Sequence, residues 1–557
     1  MSEAKTKRIA PENISEAMLL RLKQLGVDYF FANPGTEFAS VIRGFQELEK
    51  NLVPQPVLAA HEFLAVGMAY GHYLAQKKPQ AVMTHASVGA ANALIGLIGA
   101  YRMNIPLIFI SGMTASGERG QEGARDKMIH WAQEAKDHAG IYREYVKWET
   151  RLHDANSLYD TLDRAYAIAM TEPRGPVAIA ISRDLLMREF SQPLPHKIQV
   201  RMASSAALEQ GAFHSLVDQM SLAERPILVT NRLGLEKELV PRLVELAEAQ
   251  GLGILTPDDY YMSFPANHPF HLGYRLNEVL PNADLVLALD TEVPWWPMEA
   301  GPSDAAKVIH IGADPLAQSL STRSHRGDLF LQASPENFLR ALAEIKPSPT
   351  LLDRRRTWLK EKCVAINRRR GVSEKFTASE VSSVLADFLD DSTILINELG
   401  LDPSQLGCQY EGGYFRSGSA SPLGWGVGCA LGHLQADPQK RVILAVGDGV
   451  FLLSPMTGAL LAAADGNWPL LILVLNNGGL ASIGRTVEQY YPGKSLGLPL
   501  TEFSPSPVAY EKCVDFVDGW GARVSSTEEL GQALRQGLEF IKTERRSVII
   551  NALIEKA

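Results

Sequence analysis

Gly447-Asp448-Gly449 closes the apolar run Val442–Val446, and Asn476-Asn477-Gly478-Gly479 closes a second run, Pro469–Leu475. Both clusters belong at the carboxyl ends of parallel strands, where open α/β sheets place their ligands. Their chemistry suits a diphosphate held through a hard divalent cation. Mg²⁺ takes a few oxygen ligands and completes its shell with phosphate oxygens and water. Asp448 offers a carboxylate, Asn477 a side-chain carbonyl and Gly479 a backbone carbonyl. Gly447 and Gly449 let the main chain approach the phosphates, and the helix N-terminus that follows favours their charge. Taken singly, each cluster is an ordinary turn.

Two further residues could move protons. Glu62 opens an apolar, helix-forming stretch, His61-Glu62-Phe63-Leu64-Ala65-Val66-Gly67-Met68-Ala69-Tyr70-Gly71. A carboxylic acid there suits general acid–base work, and in isolation it is equally a helix-start glutamate near the dipole. His85 follows the strand Gln80–Thr84, twenty-three positions after Glu62. It could exchange a proton near neutral pH or hold its loop by a backbone hydrogen bond.

These residues need a scaffold, and 557 residues (61.0 kDa) predict several domains. Three blocks alternate short apolar runs with helical patterns, the mark of parallel sheets covered by helices. We place them at 1–190, 205–345 and 375–557. The first has a helical stripe over Ile14–Leu25 and strands at Tyr29–Ala32, Gln80–Thr84, Pro106–Ser111 and Val177–Ser182. Strands of the second lie at Pro226–Thr230, Leu285–Leu289 and Lys307–Ile311. Those of the third lie at Thr393–Asn397, Val442–Val446 and Leu470–Asn476. A polar stretch from Ser191 to about Ser205 reads as a linker, and Lys346–Arg370, with two arginine triplets, as an exposed connector. Whether the first and third blocks share a fold cannot be read from periodicity.

Net charge is −9 with a pI of about 5.9, which argues against general nucleic-acid binding. The four cysteines, Cys363, Cys408, Cys429 and Cys513, form no CxxC pair and suggest neither a disulfide framework nor a zinc site. The most apolar region, Ala91–Met113, is interrupted by Asn92, Arg102, Asn104 and Pro106. It reads as helix, turn and strand rather than a membrane span. No signal-like stretch follows the polar start MSEAKTKR, so a cytoplasmic enzyme without membrane attachment is expected.

Together the two glycine-rich clusters resemble the thiamine-diphosphate motif of the acetolactate synthase and 2-oxo acid decarboxylase superfamily. The twenty-nine positions from Asp448 to Asn477 slightly exceed the family spacing. This leaves Asn476 and Asn477 as alternatives for the metal, with Asn477 preferred. The segment around Glu62 is similar to the family's HE…A…MA.GY, which implies that Glu62 serves the N1′ atom of the aminopyrimidine. Ser421-Pro422-Leu423-Gly424-Trp425-Gly426 resembles the segment carrying the family's apolar wedge, and nominates Leu423, with Ser421, as a cofactor contact. The resemblance covers nearly the whole chain. It implies α/β architecture in three doubly wound parallel-sheet domains: pyrimidine-binding, Rossmann-like central and diphosphate-binding. It also implies a homodimer or homotetramer, with Glu62 of one subunit facing Asp448 of another.

For the reaction, His85-Ala86-Ser87-Val88-Gly89-Ala90-Ala91-Asn92 is similar to the stretch of benzoylformate decarboxylase that carries a catalytic histidine. That enzyme brings a second histidine from its central domain. Asp290-Thr291-Glu292-Val293-Pro294-Trp295-Trp296-Pro297 has none in the matching place. Trp295 and Trp296 could wall a substrate pocket, together with Thr36 and Gln133. Asn33-Pro34-Gly35-Thr36 and Gln133-Glu134, with Arg143 and Lys147, resemble acetolactate synthase-like proteins. Asn231-Arg232-Leu233-Gly234 is no glycine-rich phosphate loop, so FAD is not supported. The leading expectation is a 2-oxo acid decarboxylase with carboligase ability, acting on a 2-oxo acid or aldehyde. The alternatives are an acetolactate synthase-like carboligase and a catalytically silent, cofactor-holding partner subunit.

Overall fold

The apolar runs become the inner strands of three sheets whose strand pairings are all parallel. A computed structural model describes residues 8–196, 200–296, 300–367, 375–408, 410–493, 500–503 and 506–555. The first sheet holds β1 (Tyr29–Asn33), β2 (Gln55–Leu58), β3 (Ala81–Thr84), β4 (Ile108–Met113), β5 (Trp148–Arg151) and β6 (Val177–Ser182), in the order β2-β1-β3-β4-β6-β5. The second holds β7 (Pro226–Val229), β8 (Gly253–Leu255), β9 (Leu285–Leu289), β10 (Lys307–Gly312) and β11 (Leu329–Gln332), in the order β11-β10-β9-β7-β8. In the third, β12 (Thr393–Glu398), β13 (Tyr414–Arg416), β14 (Arg441–Gly447), β15 (Leu471–Asn476), β16 (Trp520–Val524) and β17 (Val548–Leu553) run β13-β12-β14-β15-β17-β16. Counted along the chain, the first and third sheets therefore have one and the same order.

Both faces of these sheets are covered. Ala81 and Met83 of β3 enter one core and Val82 enters another; Ile443 and Ala445 of β14 likewise part from Val442 and Leu444. A strand buried on both faces reads as a continuous apolar run, not an alternating one. One of these cores is common to the first and third sheets.

That shared core is built where helix α1 (Glu62–Gln76) and helix α2 (Ala86–Arg102) of the first domain meet the third. On the other side, helix α3 (Pro349–Asn367) leads toward the third domain, whose helix α4 (Trp425–Ala436) follows β13 and whose short helix α5 (Asp448–Leu453) follows β14. Helices α1 and α4 cross on glycines. A Cβ at Gly71 would stand 2.1 Å from the Cys429 carbonyl oxygen, one at Gly432 2.2 Å from that of Met68, and one at Gly67 3.0 Å from the Gly428 Cα. The two backbones thus touch with no side chain between them, closer than the usual interaxial packing of helices.

Where the sequence reads as an exposed connector over Lys346–Arg370, the structure forms α3 up to Asn367. Arg355 of this helix is 1% exposed. It donates from Nε to the Ala223 carbonyl (2.9 Å), from Nη1 to that of Gln250 (2.7 Å) and from Nη2 to that of Met220. These carbonyls lie at the C-terminal ends of two helices, Gln210–Leu222 and Leu239–Gln250. The arginine triplet reads as solvated, yet a guanidinium whose donors meet such carbonyls can be buried. Leu359 of the same helix enters the second domain's core. Arg368–Arg370 lie outside the described residues. Among the described residues no helix is long and apolar enough to cross a membrane.

Candidate active site

The first cluster forms at the carboxyl ends of β1 and β3. Glu62 is the first residue of α1, next to the cap His61, whose Nδ1 accepts the Phe63 N–H at 3.1 Å. It is 6% exposed, and its Oε2 accepts from Asn92 Nδ2 at 3.1 Å. Helix α2 can come this close because position 89 is glycine; a Cβ there would stand 3.3 Å from Glu62 Oε1.

His85 caps α2 from outside the helix, and its Nδ1 lies 2.5 Å from Glu37 Oε2. The other carboxylate oxygen of Glu37 accepts the Ala86 N–H at 3.1 Å. Glu37 is buried, and glycines make the room for it. A Cβ at Gly35 would fall 1.9 Å from His85 Nδ1, and one at Gly112 2.5 Å from Glu37 Oε1. The hydrogen bond to Glu37 holds the His85 pKa above its ordinary value, although burial works against it. The Gln133 side chain and the charge of Glu62 add to the rise. Ser87 Oγ donates to the Gln133 main-chain carbonyl at 2.7 Å, and the Gln133 side-chain oxygen is buried without a well-formed hydrogen bond. Thr36 Oγ1 lies 3.3 Å from Nε2 of the buried His130. The structure thus brings Glu62, His85 and Gln133 together, and sets Thr36 beside Glu37.

The second cluster forms at the carboxyl ends of β14 and β15. Asp448 is 1% exposed and heads α5. Its Oδ1 accepts the Gly449 N–H at 2.9 Å, and its Oδ2 accepts those of Gly478 (2.8 Å) and Gly479 (3.0 Å). Burial raises its pKa, opposed by these amides. Gly478 takes φ +79°, and at Gly479 a Cβ would lie 2.1 Å from the Thr501 carbonyl oxygen, so this turn admits no side chain at either position. Asn476 is fully engaged: its Oδ1 accepts the Gly478 N–H, and its Nδ2 donates to Val508 O and Asn551 Oδ1. Among the described residues, the buried Oδ1 of Asn477 has no hydrogen-bond partner. A lone buried amide oxygen beside a carboxylate is what a hard cation would satisfy. The Gly479 carbonyl accepts the Ala481 N–H at 3.1 Å, and a carbonyl oxygen has a second lone pair. The residues present fit a diphosphate–metal group.

Leu423 stands, partly buried, against the core shared by the first and third domains, in a turn where Ser421 has φ +44° and Gly424 φ +101°. Trp295 is placed elsewhere. It is 5% exposed in the core of the second domain, its ring 4.9 Å from that of His325, whose Nε2 bonds its carbonyl. Pro297 lies outside the described residues. Lys147 donates to the carbonyls of Ile168 (2.7 Å) and Thr171, and burial brings its pKa down to about 8. Glu134 pairs with Arg125.

Sequence reasoning missed Glu37, Asn92 and Tyr510. Glu37 follows a Pro-Gly turn and reads as solvated; the signal was the glycine two positions before it. Asn92 sits seven positions after His85, two turns along one face of α2. Tyr510 is 1% exposed, its hydroxyl has no partner, and burial together with the Asp448 charge raises its pKa. Among the described residues, no hydrogen bond or ion pair links the Glu62 cluster to the Asp448 cluster.

Comparison with known proteins agrees with this division. Residues 12–141 match the family described as "Thiamine pyrophosphate enzyme, N-terminal TPP binding domain", and residues 403–552 the corresponding "C-terminal TPP binding domain". Together they take in half of the chain. The acetolactate synthase large subunit of Haemophilus influenzae is 23% identical over 564 residues, covering 96% of this chain and 94% of that protein. The benzoylformate decarboxylase of Pseudomonas aeruginosa is 26% identical, covering 82% and 84%. The structure of the thiamine diphosphate-dependent 4-hydroxybenzoylformate decarboxylase of Rhodococcus jostii RHA1 superposes with a TM-score of 0.78 at 20% identity. It covers 98% of this chain and 99% of that one.

Proposed function

The chain belongs to the thiamine pyrophosphate enzyme family, and from that premise we propose a thiamine-diphosphate- and Mg²⁺-dependent 2-oxo acid decarboxylase with carboligase ability. The observation that carries the choice of reaction is the partly buried His85 held by the buried Glu37 beside Glu62. It supplies a fixed proton donor and acceptor where a bond to a carbonyl carbon would change.

Asp448, Asn477 and the Gly479 carbonyl would hold the cation that binds the diphosphate. Glu62, steadied by Asn92, would hold a proton for the aminopyrimidine, and Leu423 would contact the cofactor. When bound, thiamine diphosphate supplies the nucleophile and the electron sink. His85, kept protonated to higher pH by Glu37, delivers a proton to the carbon released from carboxylate and takes it back in the reverse sense. The buried walls around Glu62 and Asp448 exclude water.

The site is completed between two copies of the chain. Val88 and Ile95 on α2 are about half exposed, as are Leu452, Leu453 and Leu461 just beyond Asp448. Exposed apolar residues flanking each half-site suit an interface. The acetolactate synthase-like alternative leaned on Gln133-Glu134 and Lys147. Lys147 is occupied with backbone carbonyls and Glu134 with Arg125, which favours the decarboxylase. A silent partner subunit fits poorly with a complete Glu62, Asp448 and Asn477 set.

The test is titration of cofactor-stripped protein with thiamine diphosphate and Mg²⁺, followed by product analysis with benzoylformate and pyruvate. Metal-dependent binding with aldehyde as product is expected. Acetolactate would select the carboligase, binding without turnover the silent subunit, and no binding would overturn the cofactor assignment.

A further inference from the structure

Glu398, the last residue of β12, is wholly buried at 0% exposure. Its Oε1 accepts the N–H groups of Gly424 (2.7 Å) and Trp425 (2.9 Å), and its Oε2 accepts that of Gly426 (2.6 Å). These amides open α4, and they are among the donors that a helix start leaves unsatisfied. A serine or aspartate at position 424 would cap the helix locally. Instead that position is glycine at φ +101°, and the cap comes from a strand twenty-six positions earlier. Burial pushes the Glu398 pKa up to about 8 despite the three donors. Burying a carboxyl group is costly where it stands, and among the described residues no cation is paired with it, which points to positioning rather than stability.

What it positions is the turn Ser421–Gly424. Room is left for this turn on two other sides. A Cβ at Gly99 of α2 would meet the Pro422 ring at 2.8 Å, and one at Gly424 would meet the Phe63 ring, next to Glu62, at 3.0 Å. At Gly426 a Cβ would fall 2.6 Å from Glu398 Oε2, so the glycine is needed for the carboxylate to reach its donors. Leu423 is the residue of this turn whose side chain is left only partly buried against the shared core.

We propose that Glu398 is a positioning residue for cofactor binding: by holding the first amides of α4 it sets the turn that presents Leu423. This rests on the reading of Leu423 as a cofactor contact given above. The prediction separates Glu398 from a helix cap of purely structural value, because its effect on the cofactor must pass through Leu423.

Thiamine diphosphate with Mg²⁺ is titrated calorimetrically into cofactor-stripped wild type, Glu398→Gln, Leu423→Ala and the double variant. Near-ultraviolet circular dichroism of Trp425 and the unfolding midpoint are followed in parallel. Glu398→Gln keeps the volume but turns an amide N–H donor toward another donor. Loss of a hydrogen-bond acceptor at the start of α4 predicts cofactor affinity weakened about ten- to a hundredfold. The double variant should bind no more weakly than the weaker single one. Undiminished affinity in Glu398→Gln, or two losses that multiply in the double variant, overturns the assignment. If Glu398→Gln does not fold, Glu398→Asp takes its place. Its shorter carboxylate should weaken binding less, again only while Leu423 is present, and wild-type affinity in it overturns the assignment equally. Wild type that binds no thiamine diphosphate removes the cofactor reading and this inference with it, whereas wild-type binding with an indifferent Glu398 removes this inference alone.

Discussion

The first and third domains repeat one strand order and put opposite chemistry on it. Helices α1 and α4 each follow the second strand of their sheet and cross on paired glycines. Glu62 precedes Gly67 and Gly71 by five and nine positions, and Leu423 precedes Gly428 and Gly432 by the same five and nine. One helix start carries a carboxylic acid and the other an apolar side chain. The third strands differ in the same way. After β3 the chain places His85, a side chain held by another side chain. After β14 it places Asp448, a side chain held by three backbone amides. The first domain sets titratable side chains against one another and the third sets a carboxylate against backbone dipoles, on a common frame. The lesson is that the frame fixes where a ligand can lie, while the residue types at equivalent positions decide what is done to it.

That contrast can be broken at either end. In the first domain, Glu62→Gln should leave binding of thiamine diphosphate and Mg²⁺ intact while kcat falls roughly 10²- to 10⁴-fold, the range of a lost acid–base group. Steady-state kinetics beside calorimetry check this, and an unimpaired rate would remove Glu62 from proton transfer. In the third domain, Asp448→Ala should do the reverse, weakening metal-dependent cofactor binding by about a hundredfold or more before any rate is measured. Ordinary binding would mean that the metal is held elsewhere.

A smaller effect tests the frame itself. Gly71→Ala forces a methyl against the Cys429 carbonyl and should lower stability by about 1–3 kcal/mol, the usual cost of overpacking. Denaturant unfolding should show one transition shifted for both domains, and an unchanged midpoint would mean that the crossing yields easily.

The smallest expected change is in titration. Glu37 is the leading cause of the raised His85 pKa, so Glu37→Gln should move the His85 midpoint, followed by proton NMR, downward. A folded-state pKa raised above the ordinary 6.5 means that the His85 contribution to stability is complete below that value. It is lost as pH rises through the folded midpoint. In Glu37→Gln this loss should shift to lower pH, and a stationary midpoint would show that Glu37 does not govern the imidazole.

Much of this frame was legible in the sequence because inner parallel strands are buried on both faces. Leu285–Leu289 and Val177–Ser182 fall as expected from their unbroken apolar runs. The strands β8, β11, β13 and the inner β17 were missed as well as the edge strands β2, β5 and β16. Gln55, Pro56, Trp148 and Trp520 are partly or fully exposed in the last three, so no run marks them. The shared strand order is a matter of pairings distant in sequence, beyond the reach of any local pattern. In the proposed site, Asp448 and Glu62 stand out by motif. Glu37 and Glu398 do not, because each acts by reaching across the fold to amides or rings that the sequence does not place beside it. The choice between Asn476 and Asn477 likewise needed to know which amide was already engaged.

Arg355 has a consequence for how the chain could be divided. With its donors on three carbonyls at the ends of two helices of the second domain, α3 is a lid clipped onto that domain rather than a tether. A genetic cut at the end of the second sheet would strip away the helix and expose both helix ends at once. A cut after Asn367 would leave the clip closed. For recombination between related chains, the second domain therefore ends with this helix and not with its sheet.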